Sequence, residues 1–148
     1  MDNKLYFKST EHKSYKEKIK NNLLLNLFIS VIIMLLISNI SNIIYGLVIS
    51  LFLFIVQMYK SNNRDKYFII ELDISTDNVK LIYNNKDDLI EINDSKSFFD
   101  FKKKIAFNKT RTAYLEISYK EEKLLNQYEE GIWNEKEFDL IISILQKE

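Results

Sequence analysis

The residues best suited to chemistry lie in one short basic segment of the chain. It combines five cations with an amide and a hydroxyl, and its members are Lys102, Lys103, Lys104, Asn108, Lys109, Thr110 and Arg111. No acidic residue interrupts the segment. Ammonium and guanidinium groups beside neutral donors are typical of sites that hold a phosphate group. The segment therefore predicts an anion site; a solvated basic loop facing an anionic membrane surface is the alternative.

Arg111 is the most specific residue of this predicted ligand site. The chain has only two arginines and is rich in lysine. Because guanidinium presents a planar fork that an ammonium lacks, an arginine in such a sequence favours bidentate anion binding. Arg111 also shares strand parity with Ala113, Leu115 and Ile117. If that face is the interior, we expect the Arg111 side chain to point inward, at the mouth of the β-barrel predicted below.

Other kinds of site chemistry are poorly supported. The chain has no cysteine, one histidine and two glycines, which argues against thiolate catalysis, a serine–histidine triad, a histidine or cysteine metal cluster and a glycine-rich phosphate loop. Three carboxylate pairs lie at predicted turns or strand ends, where solvated charge is the default: Asp87 with Asp88, Glu121 with Glu122 and Glu129 with Glu130. We predict no enzymatic activity, no catalytic residue, no metal and no cofactor.

A long uncharged run precedes the segments that must position this site. No charged residue lies between Asn21 and Tyr59. A single straight helix over that run would be about 58 Å long, far more than a hydrocarbon core of about 30 Å. Polar turn formers cluster from Ser38 to Asn42. We predict a transmembrane hairpin, with helix one from about 22 to 37 and helix two from about 43 to 59.

The charges that flank the hairpin predict its orientation. Basic residues precede helix one and follow helix two: Lys4, Lys8, Lys13, Lys16, Lys18, Lys20, Lys60, Arg64 and Lys66. The connecting turn carries no charge. By the positive-inside rule we expect a multi-pass protein of the bacterial inner membrane with both termini cytoplasmic. The basic flanks can also rest against anionic headgroups of the lipid bilayer.

Polar side chains inside the two spans allow two interpretations. Asn26, Ser30, Ser50 and Gln57 lie in the hydrocarbon region, and Gly46 is the one small residue there that permits close helix approach. Such groups seek hydrogen-bond partners on neighbouring helices. They either pack the hairpin within one chain or form a polar seam between subunits. Two helices cannot enclose a water path, so any pore requires a homo-oligomer.

From Tyr67 onward, apolar residues alternate with polar ones over short runs. This period-two pattern predicts about six antiparallel strands, whose inward sets include Phe68 to Ile74, Val79 to Tyr83, Ile90 with Ile92, Phe99 to Phe107, Ala113 to Tyr119, and Leu124 to Tyr128. The lysine run should break or bulge the fourth of these. Because consecutive antiparallel strands hide their edges by closing into a barrel or by forming a sandwich, we expect a small barrel-like domain rather than an open sheet.

The chain's last apolar stripe predicts a C-terminal helix. Asn134 can cap it, Glu137 completes a capping box, and Trp133 can pack against Phe138 as a hydrophobic staple. The stripe itself comprises Phe138, Ile141, Ile142 and Leu145. We expect this helix to dock on the sheet or to plug the barrel. Trp133 is assigned to the staple, with ligand stacking as the alternative.

These patterns divide the chain into four predicted segments. They are a basic cytoplasmic N-terminal segment at 1–20, the transmembrane hairpin at 21–59, a basic linker at 60–66, and a cytoplasmic β-rich domain with its C-terminal helix at 67–148. The last segment carries 12 basic and 17 acidic residues. That acidic balance argues against a DNA or RNA polymer as partner.

A two-span hairpin followed by a compact β-rich domain resembles the two-transmembrane, β-strand-rich effectors of nucleotide second-messenger antiphage systems. The resemblance is one of architecture and covers the whole chain. It implies a non-enzymatic effector whose domain senses a cyclic oligonucleotide and whose oligomerised hairpins disrupt or permeabilise the membrane. The short domain and its final helix are also similar to bacterial membrane proteins with a pleckstrin-homology-like domain. That likeness implies a membrane-tethered binding or scaffold module of an envelope complex.

Overall fold

A computed structural model describes residues 5–9, 14–40, 42–107 and 111–145, without the side chains of Phe107 and Arg111. The chain divides into two compact units. One unit comprises Lys13–Lys66 and is helical. The other combines Met1–His12 with Tyr67–Glu148 and contains the strands. The helical unit is therefore inserted in the sequence of the β-rich unit.

The helical unit is a hairpin of two long helices, α1 (Tyr15–Ile40) and α2 (Ile43–Asp65). Both are long and apolar enough to cross a membrane. Each helix extends beyond its predicted bounds, because hydropathy marks only the apolar span. In α1 the lysines and the glutamate before the apolar span also favour helix. At the turn, the Asn42 side chain accepts a hydrogen bond from the Ile44 amide at 3.1 Å and caps α2.

Small and polar residues lie between the two helices of the hairpin. A Cβ at Gly46 would lie 2.5 Å from Ser38 Oγ and 2.9 Å from the Met34 carbonyl oxygen, so only glycine fits that position. Asn26 is buried and its amide nitrogen lies 3.4 Å from the sulfur of Met58. The interpretation of these residues as packing within one chain is confirmed for Gly46 and Asn26.

The β-rich unit contains two antiparallel sheets. The first has strand order β1 (Leu5–Lys8), β2 (Tyr67–Ile74), β3 (Asn78–Asn85) and β4 (Asp88–Ser95). β1 is not among the predicted elements. It pairs with the far end of β2, from Leu5 opposite Ile74 to Lys8 opposite Glu71. The hairpin therefore lies in sequence between two strands that are neighbours in one sheet.

The second sheet contains β5 (Phe99–Phe107), β6 (Arg111–Tyr119) and β7 (Glu122–Tyr128), with β6 in the centre. A 3₁₀ turn at Lys96–Phe98 connects β4 to β5. The pairing of β5 with β6 runs without a register shift from Phe99 opposite Tyr119 to Phe107 opposite Arg111. The expected break or bulge at the lysine run is therefore wrong: β5 is continuous.

The predicted barrel-like domain is present only in part, because the strands do not close into a barrel. Six strands after the hairpin, their antiparallel order and the C-terminal helix are present, but β4 and β5 belong to different sheets and are not paired with each other. The 3₁₀ turn changes the chain direction between them. The two sheets instead share one core of buried apolar side chains with the final helix.

The backbone of Ile69, beside a bulge in β2, links the two sheets. Ile69 lies opposite Tyr83 and Glu71 lies opposite Ile82, so the bulge leaves Ile70 without a partner residue on β3. The Ile69 amide donates to Gln127 Oε1 at 2.7 Å, and Trp133 Nε1 donates to the Ile69 carbonyl at 2.8 Å. Both side chains are fully buried. Two side chains from outside the first sheet thus satisfy the amide and the carbonyl of Ile69.

The final helix α3 (Glu135–Leu145) begins where the sequence predicts. Asn134 Oδ1 accepts hydrogen bonds from the amides of Lys136 at 3.0 Å and Glu137 at 3.2 Å, which confirms the cap. Phe138 and Ile141 are fully buried. Trp133 lies in the core with its ring 5.6 Å from that of Phe7, so burial and its hydrogen bond, not ligand stacking, account for it.

Candidate functional site

The three consecutive lysines of the predicted ligand site point to opposite faces of β5. Side chains alternate along a strand, so Lys102 and Lys104 share one face and Lys103 lies on the other. Their exposure follows that division, with Lys102 and Lys104 exposed and Lys103 half-buried. A regular strand thus separates three cations that are adjacent in sequence. They do not converge on one ligand.

Lys103 connects β5 to α3. Its ammonium pairs with Asp139 and lies 3.4 Å from Glu135 Oε1, and only 25% of its side chain is exposed. The hydrogen bond to Asp139 raises the pKa of Lys103 above its usual value, against the opposing effect of burial. Lys103 therefore holds α3 through two carboxylates. Sequence reasoning missed this role because the acids lie more than 30 residues further along the chain.

Lys104 belongs to an ion-pair cluster on the outer face of the second sheet. Its ammonium lies 2.6 Å from Glu116 Oε1, and Lys123, which was not predicted, lies 2.9 Å from the other oxygen. The side chain of Glu116 is 12% exposed. Hydrogen bonds from Lys104 and then from Lys123 lower the pKa of Glu116. These ion pairs hold the three side chains on the sheet, and the cluster has a net charge of +1.

Arg111, the remaining described residue of the predicted site, lies across from the other end of β5. Asn108, Lys109 and Thr110 lie outside the described residues, and Arg111 begins β6 opposite Phe107. Lys102 lies opposite Glu116, and along β5 it is five residues before Phe107, the residue opposite Arg111. At about 3.4 Å per residue that is roughly 17 Å. The anion site at Arg111 stays a prediction, and the described structure does not bring Lys102 to it.

Lys102 instead lines a cleft at the junction of the two sheets. The cleft has a volume of about 580 Å³. Four segments contribute to it: the turn between β2 and β3, the end of β4 with the 3₁₀ turn, the start of β5, and the end of α3. The lining residues are Thr76, Asp77, Ser95, Lys96, Ser97, Phe99, Asp100, Phe101, Lys102 and Leu145. The cleft is the candidate site that the geometry offers.

No protein-family model, no curated protein and no solved structure matches this chain. Its function therefore has to be argued from the chemistry of its own residues. Across the described ranges, no three histidine or acidic side chains are grouped as a metal ion needs.

Backbone hydrogen bonds hold the 3₁₀ turn that forms one wall of the cleft. The Lys96 amide donates to the Asp77 carbonyl at 2.8 Å, which ties the turn to the loop between β2 and β3. The Lys120 amide donates to the Phe98 carbonyl at 2.8 Å, which ties it to the loop between β6 and β7. The wall is thus fixed to both sheets.

A polar network strengthens the same junction behind the cleft. Tyr119 donates its hydroxyl hydrogen to Asp94 Oδ2 at 2.7 Å, and Lys120 Nζ lies 3.4 Å from the same oxygen. The Tyr119 hydrogen bond is the main reason that the pKa of Asp94 lies below its usual value. Lys120 also lies over the ring of Phe98, at 5.1 Å from its centroid. The end of β4 is therefore connected to the second sheet through side chains.

The polar rim of the cleft pairs opposite charges. Lys102 pairs with Asp100, and Ser95 Oγ lies 3.0 Å from Ser97 Oγ. Of the predicted ligand residues that the structure describes, Lys102 alone lies in this rim. Ser95, Ser97 and Asp77 were missed. A serine–lysine–serine run at the end of β4 is the sequence signal that Ser95 and Ser97 share, and it becomes meaningful only once β4 and β5 are known to lie in different sheets. Asp77, in the turn between β2 and β3, has no such signal.

Proposed function

We propose that this protein is a non-enzymatic effector of the bacterial inner membrane. Its β-rich domain senses a nucleotide second messenger at the predicted basic site around Arg111, and its oligomerised hairpins then disrupt or permeabilise the membrane in antiphage defence. The observation that carries the proposal is the insertion of the hairpin between two paired strands, β1 and β2.

That insertion gives the domain two connections to the membrane segment. The chain leaves the domain after β1, passes through α1 and α2, and returns to β2 with Lys66 as the one intervening residue. A tether requires only one connection. A domain whose neighbouring strands each lead into one helix of the hairpin can instead change the hairpin by shifting one strand against the other.

The same pairing supports the proposed orientation. Because β1 and β2 are neighbours in one sheet, both ends of a spanning hairpin must lie on the same side of the bilayer. The basic residues at both ends assign that side to the cytoplasm. Both termini of the described chain then lie with the domain.

Unpaired polar atoms in the hairpin support assembly into an oligomer. Ser30 Oγ and Gln57 Oε1 are buried and have no hydrogen-bond partner. Ser30 also lines an apolar groove of about 360 Å³ between α1 and α2. In hydrocarbon an unsatisfied polar atom is unfavourable, and a second hairpin offers a partner. Assembly also provides the water path that two helices cannot enclose.

One observation favours the alternative, a membrane-tethered scaffold with a pleckstrin-homology-like domain. Lys103 holds α3 through Glu135 and Asp139, and Phe138 and Ile141 bury it in the core. A firmly docked terminal helix suits a rigid binding module. The tethered scaffold predicts membrane association without oligomers and without leakage.

The proposal can be tested with the full-length protein in liposomes loaded with a fluorescent dye. We expect one of a panel of cyclic di- and trinucleotides to cause dye release and to increase the cross-linked oligomer. Arg111→Lys keeps the charge and should weaken this response while leaving membrane association unchanged. If the protein stays monomeric and releases no dye with any of the nucleotides, the membrane-tethered scaffold becomes the better account.

Coupling through β1 can be tested in the same assay, because the chain has no cysteine of its own. A disulfide between Tyr6→Cys and Asp73→Cys, which are opposite each other, locks β1 to β2. We expect the oxidised variant to bind nucleotide without leaking and to recover on reduction. The control is the pair Asn84→Cys and Leu89→Cys across β3 and β4. Equal leakage from both oxidised variants contradicts the coupling.

A further inference from the structure

The cleft between the sheets is electrically balanced. Two ammonium groups, Lys96 and Lys102, and two carboxylates, Asp77 and Asp100, line it. An anion entering the cleft meets two carboxylates, and a cation meets two ammonium groups. The lining therefore disfavours ligands with a net charge, unlike the predicted basic site around Arg111.

Groups that both donate and accept hydrogen bonds fit this rim best. A hydroxyl can donate to Asp100 and accept from Lys102 without separating that ion pair. The rim adds three hydroxyls of its own, from Thr76, Ser95 and Ser97. Each of them can likewise donate to or accept from a ligand hydroxyl. A ligand with several adjacent hydroxyls would engage the rim at several points.

Two aromatic side chains and one leucine are the apolar part of the cleft lining. They are Phe99, Phe101 and Leu145. The Phe99 ring stacks on that of Phe101 at a centroid distance of 6.1 Å and lies 5.0 Å from the ring of Tyr119. Its orientation is therefore fixed by two neighbours. A flat C–H face of a saturated ring can pack on such a surface while its hydroxyls reach the rim.

The size and rigidity of the cleft also suit a small ligand. Its volume of about 580 Å³ lies within the range of about 300 to 1,000 Å³ that is usual for small-molecule sites. The wall at Lys96–Phe98 is held by both sheets, so binding requires little ordering of the protein.

We propose that this cleft binds an uncharged, polyhydroxylated ring: a free sugar, or the ribose of a nucleoside. The proposal goes beyond the membrane function and does not depend on it. Asp100 and Lys102 bind ring hydroxyls, Ser95 and Ser97 add neutral hydrogen bonds, and Phe99 supports the apolar face of the ring.

Binding can be measured by saturation-transfer NMR on the full-length protein, held in a detergent without a sugar headgroup. The probes are D-glucose, D-ribose and adenosine, with methyl phosphate and methylammonium as charged probes. We expect saturable binding of at least one hydroxylated probe and none of the charged ones. Binding by adenosine alone assigns the ring to a nucleoside, and binding by the sugars assigns it to a free sugar. If adenosine binds, 2′,3′-dideoxyadenosine, which lacks both ring hydroxyls, must not bind.

Variants locate the binding within the cleft. Asp100→Asn and Ser97→Ala should each raise the dissociation constant, Asp100→Asn by at least about tenfold. Lys104→Met is the matched control, because Lys104 lies on the same strand but outside the cleft, and it should leave the constant within about twofold. Trp133 fluorescence verifies that each variant is folded. Absence of saturable binding by all three hydroxylated probes, preferential binding of methyl phosphate or methylammonium, or an unchanged constant in both cleft variants would overturn the proposal.

Discussion

Two glutamines, one in each unit, differ in how their buried side-chain amides are satisfied. In the β-rich unit, Gln127 is fully buried and uses both ends of its amide: Oε1 accepts from the Ile69 amide and Nε2 donates to the Tyr128 carbonyl at 2.8 Å. In the hairpin, Gln57 Oε1 is buried without a partner. The β-rich unit satisfies this glutamine within one chain, whereas the hairpin does not.

The apolar residues show the same division. Phe138 is fully buried in the domain core, whereas Phe52 in α2 is 64% exposed. Most large apolar side chains of the hairpin are exposed too. Exposed apolar surface on this scale requires a bilayer or another protein to cover it. Stability of the domain should therefore depend on its own core, while stability of the hairpin should depend on its surroundings.

The largest expected effect is the loss of a core side chain. Phe138→Ala should lower the free energy of unfolding of the domain by about 3 to 5 kcal/mol, because it leaves a cavity between α3 and the sheets. Phe52→Ala should leave it unchanged. The single tryptophan, Trp133, is buried in the domain, so its fluorescence during urea denaturation reports on this unit. Equal denaturation midpoints for wild type and Phe138→Ala would show that α3 is not part of the core.

The two glutamines provide the next test. Gln127→Leu leaves the Ile69 amide buried and unpaired, so the domain should lose about 1 to 3 kcal/mol. Gln57→Leu removes an atom that has no partner, so the domain midpoint should stay the same. It should instead reduce the oligomer seen by chemical cross-linking in membranes. Unchanged cross-linking in Gln57→Leu would contradict the role of this side chain between subunits.

The outcome for the fold shows what a single sequence can reveal. The uncharged run, the strand alternation and the Asn134 cap are local signals, and each predicted an element that the structure contains. β1 has only four residues, Leu5–Lys8, and its partner in β2 is more than 60 residues away. A strand this short carries no reliable alternation. Its pairing depends on the hairpin returning the chain to the same place.

The error at β5 and the failure to predict the cleft have one physical origin. A run of three lysines should disrupt a strand if each ammonium needs solvent on one face. Lys103 faces inward because Glu135 and Asp139 of α3 neutralise it. That compensation comes from a distant helix. The cleft likewise draws its lining from four separate segments, so only Lys102 of its residues was among the predicted set.

Two asparagine caps test the comparison at a smaller scale. Asn134 caps α3 in the domain and Asn42 caps α2 in the hairpin. Asn134→Ala should destabilise the domain by about 1 kcal/mol through the loss of two amide partners. Asn42→Ala should leave the Trp133 denaturation midpoint unchanged. A matching loss in both variants would mean that the two units unfold as one.

The smallest expected effect is a pH dependence at the cleft junction. The Tyr119 hydroxyl holds the pKa of Asp94 below its usual value. A carboxyl whose pKa is lowered in the folded state stabilises the protein above its unfolded pKa, and this contribution is lost as the pH falls through the folded pKa. Tyr119→Phe removes the main cause of the shift, although the Ser95 amide and Lys120 still contact Asp94.

The wild type should therefore denature at higher urea than Tyr119→Phe at neutral pH, and the difference should shrink as the pH falls below about 4. Tyr114→Phe removes a hydroxyl from the same strand, beside Tyr128 on the outer face, and should show no such change with pH. Hairpin variants should show none either, since this network lies wholly in the domain. A wild-type advantage that persists undiminished at pH 3 would mean that the Tyr119 hydroxyl stabilises the junction without acting on the charge of Asp94.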